Sequence, residues 1–261
     1  METLEHFLTA GVFAFILTFV RIGTAITIMP GVGDSFTPQT IRLYIALGLS
    51  LVLAPLVAPL MPAVIPGGAA LFILIIMEFI IGLFIGTMAR VFMMALDTAG
   101  MIISMQSGLG NAQLFNPAFS SQGSLVGAFL SVTGVIVLMA TNMHYMLFYG
   151  LVESYKIFPV GTFPLAGNMA EMMASAVGAS FLVGVQIAAP FIIVGMLIYI
   201  GMGILSRLMP QVQVFMLAVP LQIVILLLTL AIVLSAGMLF WVGRFEEGMM
   251  YILSAGGGDA P

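Results

Sequence analysis

Apolar residues run along this chain in six long blocks, separated by proline, glycine and a few charges. The blocks extend from Phe7 to Met29, Ile41 to Leu60, Ala69 to Leu96, Gly123 to Phe148, Met172 to Leu205 and Val212 to Val242. A hydrocarbon layer about 30 Å thick is crossed by roughly 20 apolar helical residues, and several blocks reach that length. They predict an all-α membrane protein of kinked, Gly/Pro-broken helices. The blocks ending at Leu96 and Leu205 exceed a simple span, so each is expected to tilt, kink or extend beyond the bilayer. The third is followed at once by Thr98 to Met105, which stays compatible with helix.

Composition agrees with that reading. Of the 261 residues, 62% are hydrophobic and 6% charged, and the mean hydropathy is +1.26, whereas a soluble domain has an apolar share nearer half and a charged share nearer a quarter. A net charge of -4 from ten acids and six bases leaves no basic field for nucleic acid. The absence of cysteine removes disulfides, thiolate catalysis and cysteine metal sites together. Glu2 and Glu5 stand where a secretory signal carries positive charge, so the first block reads as a retained helix. The 29 glycines, among them Gly82, Gly86, Gly195, Gly201 and Gly203, and the 22 methionines suit close and irregular helix packing, although both types are ordinary in membrane helices. Flanking charge does not orient the chain: Lys156 and Arg244 stand against Arg42, Arg90 and Arg207.

Ionisable groups inside apolar blocks carry more information, because each costs at least about 2.5 to 3.5 kcal/mol in lipid unless paired or wetted. Arg21, Glu78, Arg90 and Asp97 qualify. Arg90 and Asp97 lie seven residues apart, so they share a helix face without touching, and both read as snorkelling to an interface. Glu78 has apolar neighbours for more than a turn on either side. It calls for a buried partner, a neutral form or a water-filled path. Structural pairing is expected ahead of a proton relay, since no second intramembrane carboxylate lies near it in sequence. Nothing points to catalysis, a metal or a cofactor. The histidines are His6 and His144, neither sits in a base–nucleophile pair, and HExxH, P-loop and GxGxxG patterns are absent. His144, two residues after Asn142, reads as an interfacial hydrogen-bonding residue.

Three linkers are distinctive. From Gly31 to Arg42, flanked by Pro30 and containing Asp34 and Pro38, the chain reads as a structured turn. From Ser107 to Ser124 it is polar, glycine-rich and uncharged, which suits a re-entrant or pore-filling loop and an ordinary surface loop equally. Around RLMPQVQ, Pro210 ends a helix at Met209 and leaves carbonyls within reach of Arg207. Gln211 and Gln213 then open the next helix, in which Pro220 frees another carbonyl. That run is either a subunit contact or a self-capped hairpin.

Arg21, Pro30, Pro38 and Arg42, the GLGNAQLFNP segment, Asn142 with His144, and above all RLMPQVQVFMLAVPLQI from Arg207 to Ile223 together resemble the FliR family. These are flagellar export-gate proteins with SctT-type counterparts in injectisome type III secretion. The resemblance covers essentially the whole chain. One departure is the single His144 followed by Tyr145, where the family often carries two histidines. The resemblance implies a core channel subunit that passes unfolded flagellar proteins across the bacterial inner membrane at the basal body. Such proteins are similar to a fusion of FliP and FliQ and assemble with both and with FlhB. It also implies helical hairpins packed on neighbouring subunits as well as lipid, so six blocks need not be six spans. One gate domain over residues 1–261 is expected, with a short polar, flexible tail over 244–261. By the same resemblance Gly108, Gly110, Asn111, Leu114, Phe115, Asn116, Pro117 and Phe119 belong to a channel plug. Arg21, Pro30, Pro38, Arg42, Arg207, Pro210, Gln211 and Pro220 are motif residues suited to subunit contacts. The alternatives are an injectisome homologue, a scaffold, or a small-solute transporter, which would show an internal repeat with matched charges; neither is clear here.

Overall fold

The computed structural model describes residues 2–62, 66–110, 124–162, 166–209 and 214–255. These residues form α-helices with no strand among them: α1 (Glu2–Ile28), α2 (Gln39–Val57), α3 (Gly68–Gln106), α4 (Leu125–Ala140), α5 (His144–Ile157), α6 (Ala166–Leu208) and α7 (Val214–Ala255), with a 3-10 turn at Ala58–Leu60. Backbone groups out of reach of water must be paired within the segment, which an apolar helix achieves alone. Five of the helices are long and apolar enough to cross a membrane, or six spans result if α4 and α5 count as one.

That pair departs from the sequence pattern. The fourth apolar block was expected to be continuous to Phe148, but it stops at Ala140, resumes at His144 and bends by 77°. Asn142 causes the break with a left-handed backbone, φ 61, a conformation that asparagine tolerates better than most side chains. Helix continues past two of the apolar blocks, in α3 over the stretch from Thr98 to Met105 that the sequence leaves compatible with helix. α3 continues through Asp97 to Gln106 for 39 residues, and α7 runs through Arg244 to Ala255. The stretch from 244 therefore begins as helix rather than as a flexible tail, anchored by the buried Phe245 and Met249, while residues 256–261 lie outside the described residues. α6 ends at Leu208, one residue short of Met209, where Pro210 predicts. Pro190 and Pro220 are accommodated inside α6 and α7.

The chain divides into two compact units. The first comprises Met1–Phe92, Met139–Ala176 and Glu246–Pro261. Its core joins Phe13 and Leu17 of α1, Val57 of α2, Leu74 of α3, Tyr155 of α5 and Val160. Here α1 meets α3 through small residues spaced one turn apart. A Cβ on Gly86 would lie 2.7 Å from the Ala25 carbonyl oxygen, and one on Gly82 would lie 2.9 Å from Thr24 Oγ1 and closer still to the Arg21 carbonyl. The second comprises Met93–Leu138 and Val177–Phe245. In it α3 and α4 touch backbone to backbone at Gly100 and Gly127, and α6 approaches α3 at Gly184, where a Cβ would lie 2.8 Å from the Ala95 carbonyl oxygen. Leu130, Phe191, Leu226, Met238 and Trp241 are buried in this unit.

The close approach at Gly100 gives a sharp test. Gly100→Ala should lower the unfolding midpoint of the detergent-solubilised protein, at a cost of about 1 to 3 kcal/mol for overpacking. Gly178→Ala, where a Cβ meets nothing within 4 Å, should be neutral or stabilising by up to about 1 kcal/mol. Equal effects of the two would contradict the helix contact.

Candidate functional site

Arg21, on α1, is wholly buried and lies 57 positions from its partner Glu78, on α3, which is also wholly buried. Arg21 Nε donates to Glu78 Oε2 at 2.6 Å and Nη2 donates to Oε1 at 2.9 Å. Such a two-point guanidinium–carboxylate fork is the strongest geometry this pair adopts. The remaining N–H groups reach the end of α5: Nη1 donates to the Ser154 carbonyl at 3.1 Å and to its hydroxyl at 3.3 Å, and Nη2 donates to the Phe158 carbonyl at 2.9 Å. All five guanidinium donors thus have acceptors. The last carbonyls of a helix carry partial negative charge, so the cation sits between a carboxylate and a helix C-terminus. The Tyr155 ring lies 3.9 Å from the guanidinium carbon and adds a cation–π contact. The Thr18 and Tyr155 hydroxyls are buried with no hydrogen-bond partner among the described residues.

A second polar centre holds the linker after α1. Asp34 accepts from the Gly31 amide at 2.7 Å and from Arg90 of α3, while Arg42 donates to the carbonyls of Asp34 and, at 3.0 Å, Thr37. Gly31 adopts φ 88 between Pro30, which is buried, and this turn. Pro38 stands at the cap of α2 with an extended ψ of 143.

A third group lies where α3 ends and α4 begins. Ser124 Oγ lies 2.6 Å from Ser104 Oγ, donates to the Gly100 carbonyl at 2.9 Å and accepts from the Gly127 amide at 3.0 Å. Gly108, at φ 74, turns the chain so that the Gly110 amide reaches the Ser104 carbonyl at 3.0 Å. Gln222 of α7 donates to the Gln106 carbonyl at the end of α3 and to Tyr199. The two ends of the uncharged linker are therefore held at one place.

Residues 12–248 match the family of bacterial export proteins, family 1. The chain belongs to this family. It is similar to the flagellar biosynthetic protein FliR of Caulobacter vibrioides, 39% identical over 241 residues that make up 90% of this chain and 94% of that protein. The flagellar biosynthetic protein FliR of Aquifex aeolicus is 30% identical over 235 residues, 88% and 89% of the two chains. The Yop proteins translocation protein T of Yersinia pestis is 32% identical over 164 residues, 62% and 63% of the two.

Within this export-family chain the structure joins only some of the residues that the sequence singled out. Arg21 and Glu78 meet; Pro30, Pro38 and Arg42 shape one turn. Arg207, in the last turn of α6, and Pro220, inside α7, are exposed. Asn111, Leu114, Phe115, Asn116, Pro117, Phe119, Pro210 and Gln211 lie outside the described residues. Arg90 and Asp97 do not behave as a matched pair of snorkelling charges: Arg90 pairs with Asp34, and Asp97 accepts from Ser131 of α4. His144 packs against the rings of Tyr145 and Phe148, with its Nδ1 buried and unpartnered among the described residues. Ser154 and the Phe158 carbonyl were invisible in the sequence, because a backbone acceptor leaves no residue signature and Ser154 lies 133 positions from Arg21.

Removing one partner of a buried ion pair leaves an unpaired charge and costs about 3 to 5 kcal/mol, whereas replacing both with apolar groups costs much less. Arg21→Met and Glu78→Leu should each sharply lower the unfolding midpoint in detergent, and the double variant should be more stable than either single one. Losses that simply add would sink this account of the pair.

Proposed function

We propose that this chain is a core channel subunit of a flagellar type III protein export gate. It is set as a multi-pass protein in the bacterial inner membrane at the flagellar base and passes unfolded flagellar proteins rather than catalysing a reaction. One observation carries the reading: the 39% identity to the Caulobacter vibrioides FliR extends over 94% of that protein. The relation to the Yersinia pestis Yop proteins translocation protein T reaches 63% of that protein. It supports an injectisome role as the second reading, on a shorter stretch.

The partners in this proposal are FliP-like and FliQ-like subunits and FlhB, with lipid around part of the surface. Apolar exposure supports it. Only 11% of the window Val219–Tyr251 of α7 is buried, so this helix takes its apolar cover from outside the chain. Arg207, Pro210, Gln211 and Pro220 are assigned to subunit contacts in this proposal. Arg21, Pro30, Pro38 and Arg42 shape the surface on which such contacts form. Gly108, Gly110, Asn111, Leu114, Phe115, Asn116, Pro117 and Phe119 are assigned to the channel plug. The serine contacts at residues 104 and 124 support a loop that is fixed at its base. An uncharged plug suits a gate that must yield to a polypeptide, since it is held by modest contacts instead of buried ion pairs.

Deleting the gene in its own bacterium should abolish swimming and remove filament protein from the medium, and the wild-type gene should restore both. Normal flagella with a defect in another secretion system would favour the injectisome reading. Removing residues 110–120 should leave gate assembly intact while closed gates leak ions, measured as membrane depolarisation; unchanged conductance would argue against the plug assignment.

A further inference from the structure

The ion pairs above account for Glu78, Arg21, Asp34 and Arg90. Asp97 is different. It is exposed on α3, and among the described residues its carboxylate meets one neutral donor, the Ser131 hydroxyl, on Oδ1. Oδ2 receives no hydrogen bond from any described residue. Ser131 can orient the carboxylate but cannot neutralise it. The same face of the helix carries Met94, Met101 and Met105, at i-3, i+4 and i+8 from Asp97, and these are 51%, 52% and 67% exposed.

What covers this face follows from length. The 39 residues of α3 span about 58 Å at 1.5 Å per residue, roughly twice the hydrocarbon thickness. Exposed apolar side chains nevertheless continue from Phe72 to Met105. Lipid can cover only about half of that length, and an ionised carboxylate set against it is costly. Water suits the carboxylate but leaves the three methionines wet. Protein with an apolar face and one cation satisfies both, and methionine is the side chain best adapted to such a surface.

We propose that Asp97, oriented by Ser131 and flanked by Met94, Met101 and Met105, is a docking point for an apolar helix of another export subunit that carries a single lysine or arginine. The inference rests on the export-gate reading. The cation pairs with Oδ2, the methionines pack around its aliphatic stem, and the charges become buried only on assembly. Among the described residues the ion pairs run from Arg21, Arg90 and Lys156 to Glu78, Asp34 and Glu153, and none reaches Asp97.

The absence of native cysteine and the exposure of Met101 make the test direct. The full chain, produced with its neighbouring export subunits, would carry a photoreactive phenylalanine analogue at Met101. The expected cross-linked peptide comes from another subunit and contains one Lys or Arg within an apolar stretch. Asp97→Asn keeps an acceptor for Ser131, so the isolated chain should unfold as wild type, while its complex yield should fall on the order of thirtyfold or more. Reversing both charges, Asp97→Lys with the partner base changed to Glu, should restore the complex. Cross-links to lipid alone, or rapid labelling of Asp97→Cys by a water-soluble maleimide in the assembled complex, would overturn the proposal in favour of lipid or a water-filled wall. An Asp97→Asn complex formed at wild-type yield overturns it as well. Failure of the wild-type chain to associate with any export subunit would instead sink the export-gate reading, and the cross-link from Met101 in intact cells would still report what lies on this face.

Discussion

A guanidinium removed from water must keep its charge and satisfy five donors at once, and Arg21 does both inside the first unit. That requirement constrains three helices together. α3 must present Glu78 toward α1, α5 must end so that the carbonyls of Ser154 and Phe158 point at the same group, and α1 must approach α3 closely enough for the fork to close. The last condition explains the residues at one-turn spacing after Glu78. Gly82 and Gly86 occupy the same face, and the α1 backbone fills the space their side chains would take. One buried ion pair and two absent side chains thus specify a single helix crossing.

The second unit relies mostly on neutral groups, with the Asp97 carboxylate as the charged exception on its seam. Gly100 and Gly127 bring α3 and α4 into backbone contact, and serines at 104, 124 and 131 place hydroxyls along that seam. Hydroxyl contacts are individually weak, worth on the order of 1 kcal/mol, so this seam can rearrange at lower cost than the Arg21 cluster. The charged cluster of the first unit and the hydroxyl-lined seam of the second thus differ in what it costs to disturb them.

Much of the fold was legible because apolar run length has few explanations. The all-helical character, the end of α6 before Pro210 and the ordered turn around Pro30, Asp34 and Pro38 all follow from local chemistry. Three features were hidden for physical reasons. Asn142 reverses the backbone within an apolar run too short of breakers to reveal it. Arg90 and Asp97 read as charges reaching for an interface, yet each finds its partner on a distant segment, Asp34 and Ser131. The acceptors of Arg21 were partly main-chain atoms far along the chain. The sequence singled out Glu78 and Arg21 separately as needing partners, but their meeting across 57 positions is a property of tertiary structure alone.

The spacing of that cluster also imposes a schedule on biosynthesis. At about 5 to 20 residues per second, the 57 positions to Glu78 and the 133 to Ser154 correspond to delays of about 3 to 11 s and about 7 to 27 s. For that interval the first helix exists with a charged group that later becomes wholly buried. Until its acceptors arrive, that group must be satisfied by water, lipid headgroups or other protein. The hydrogen bonds that bury Arg21 are thus completed only after the chain has been made as far as Phe158.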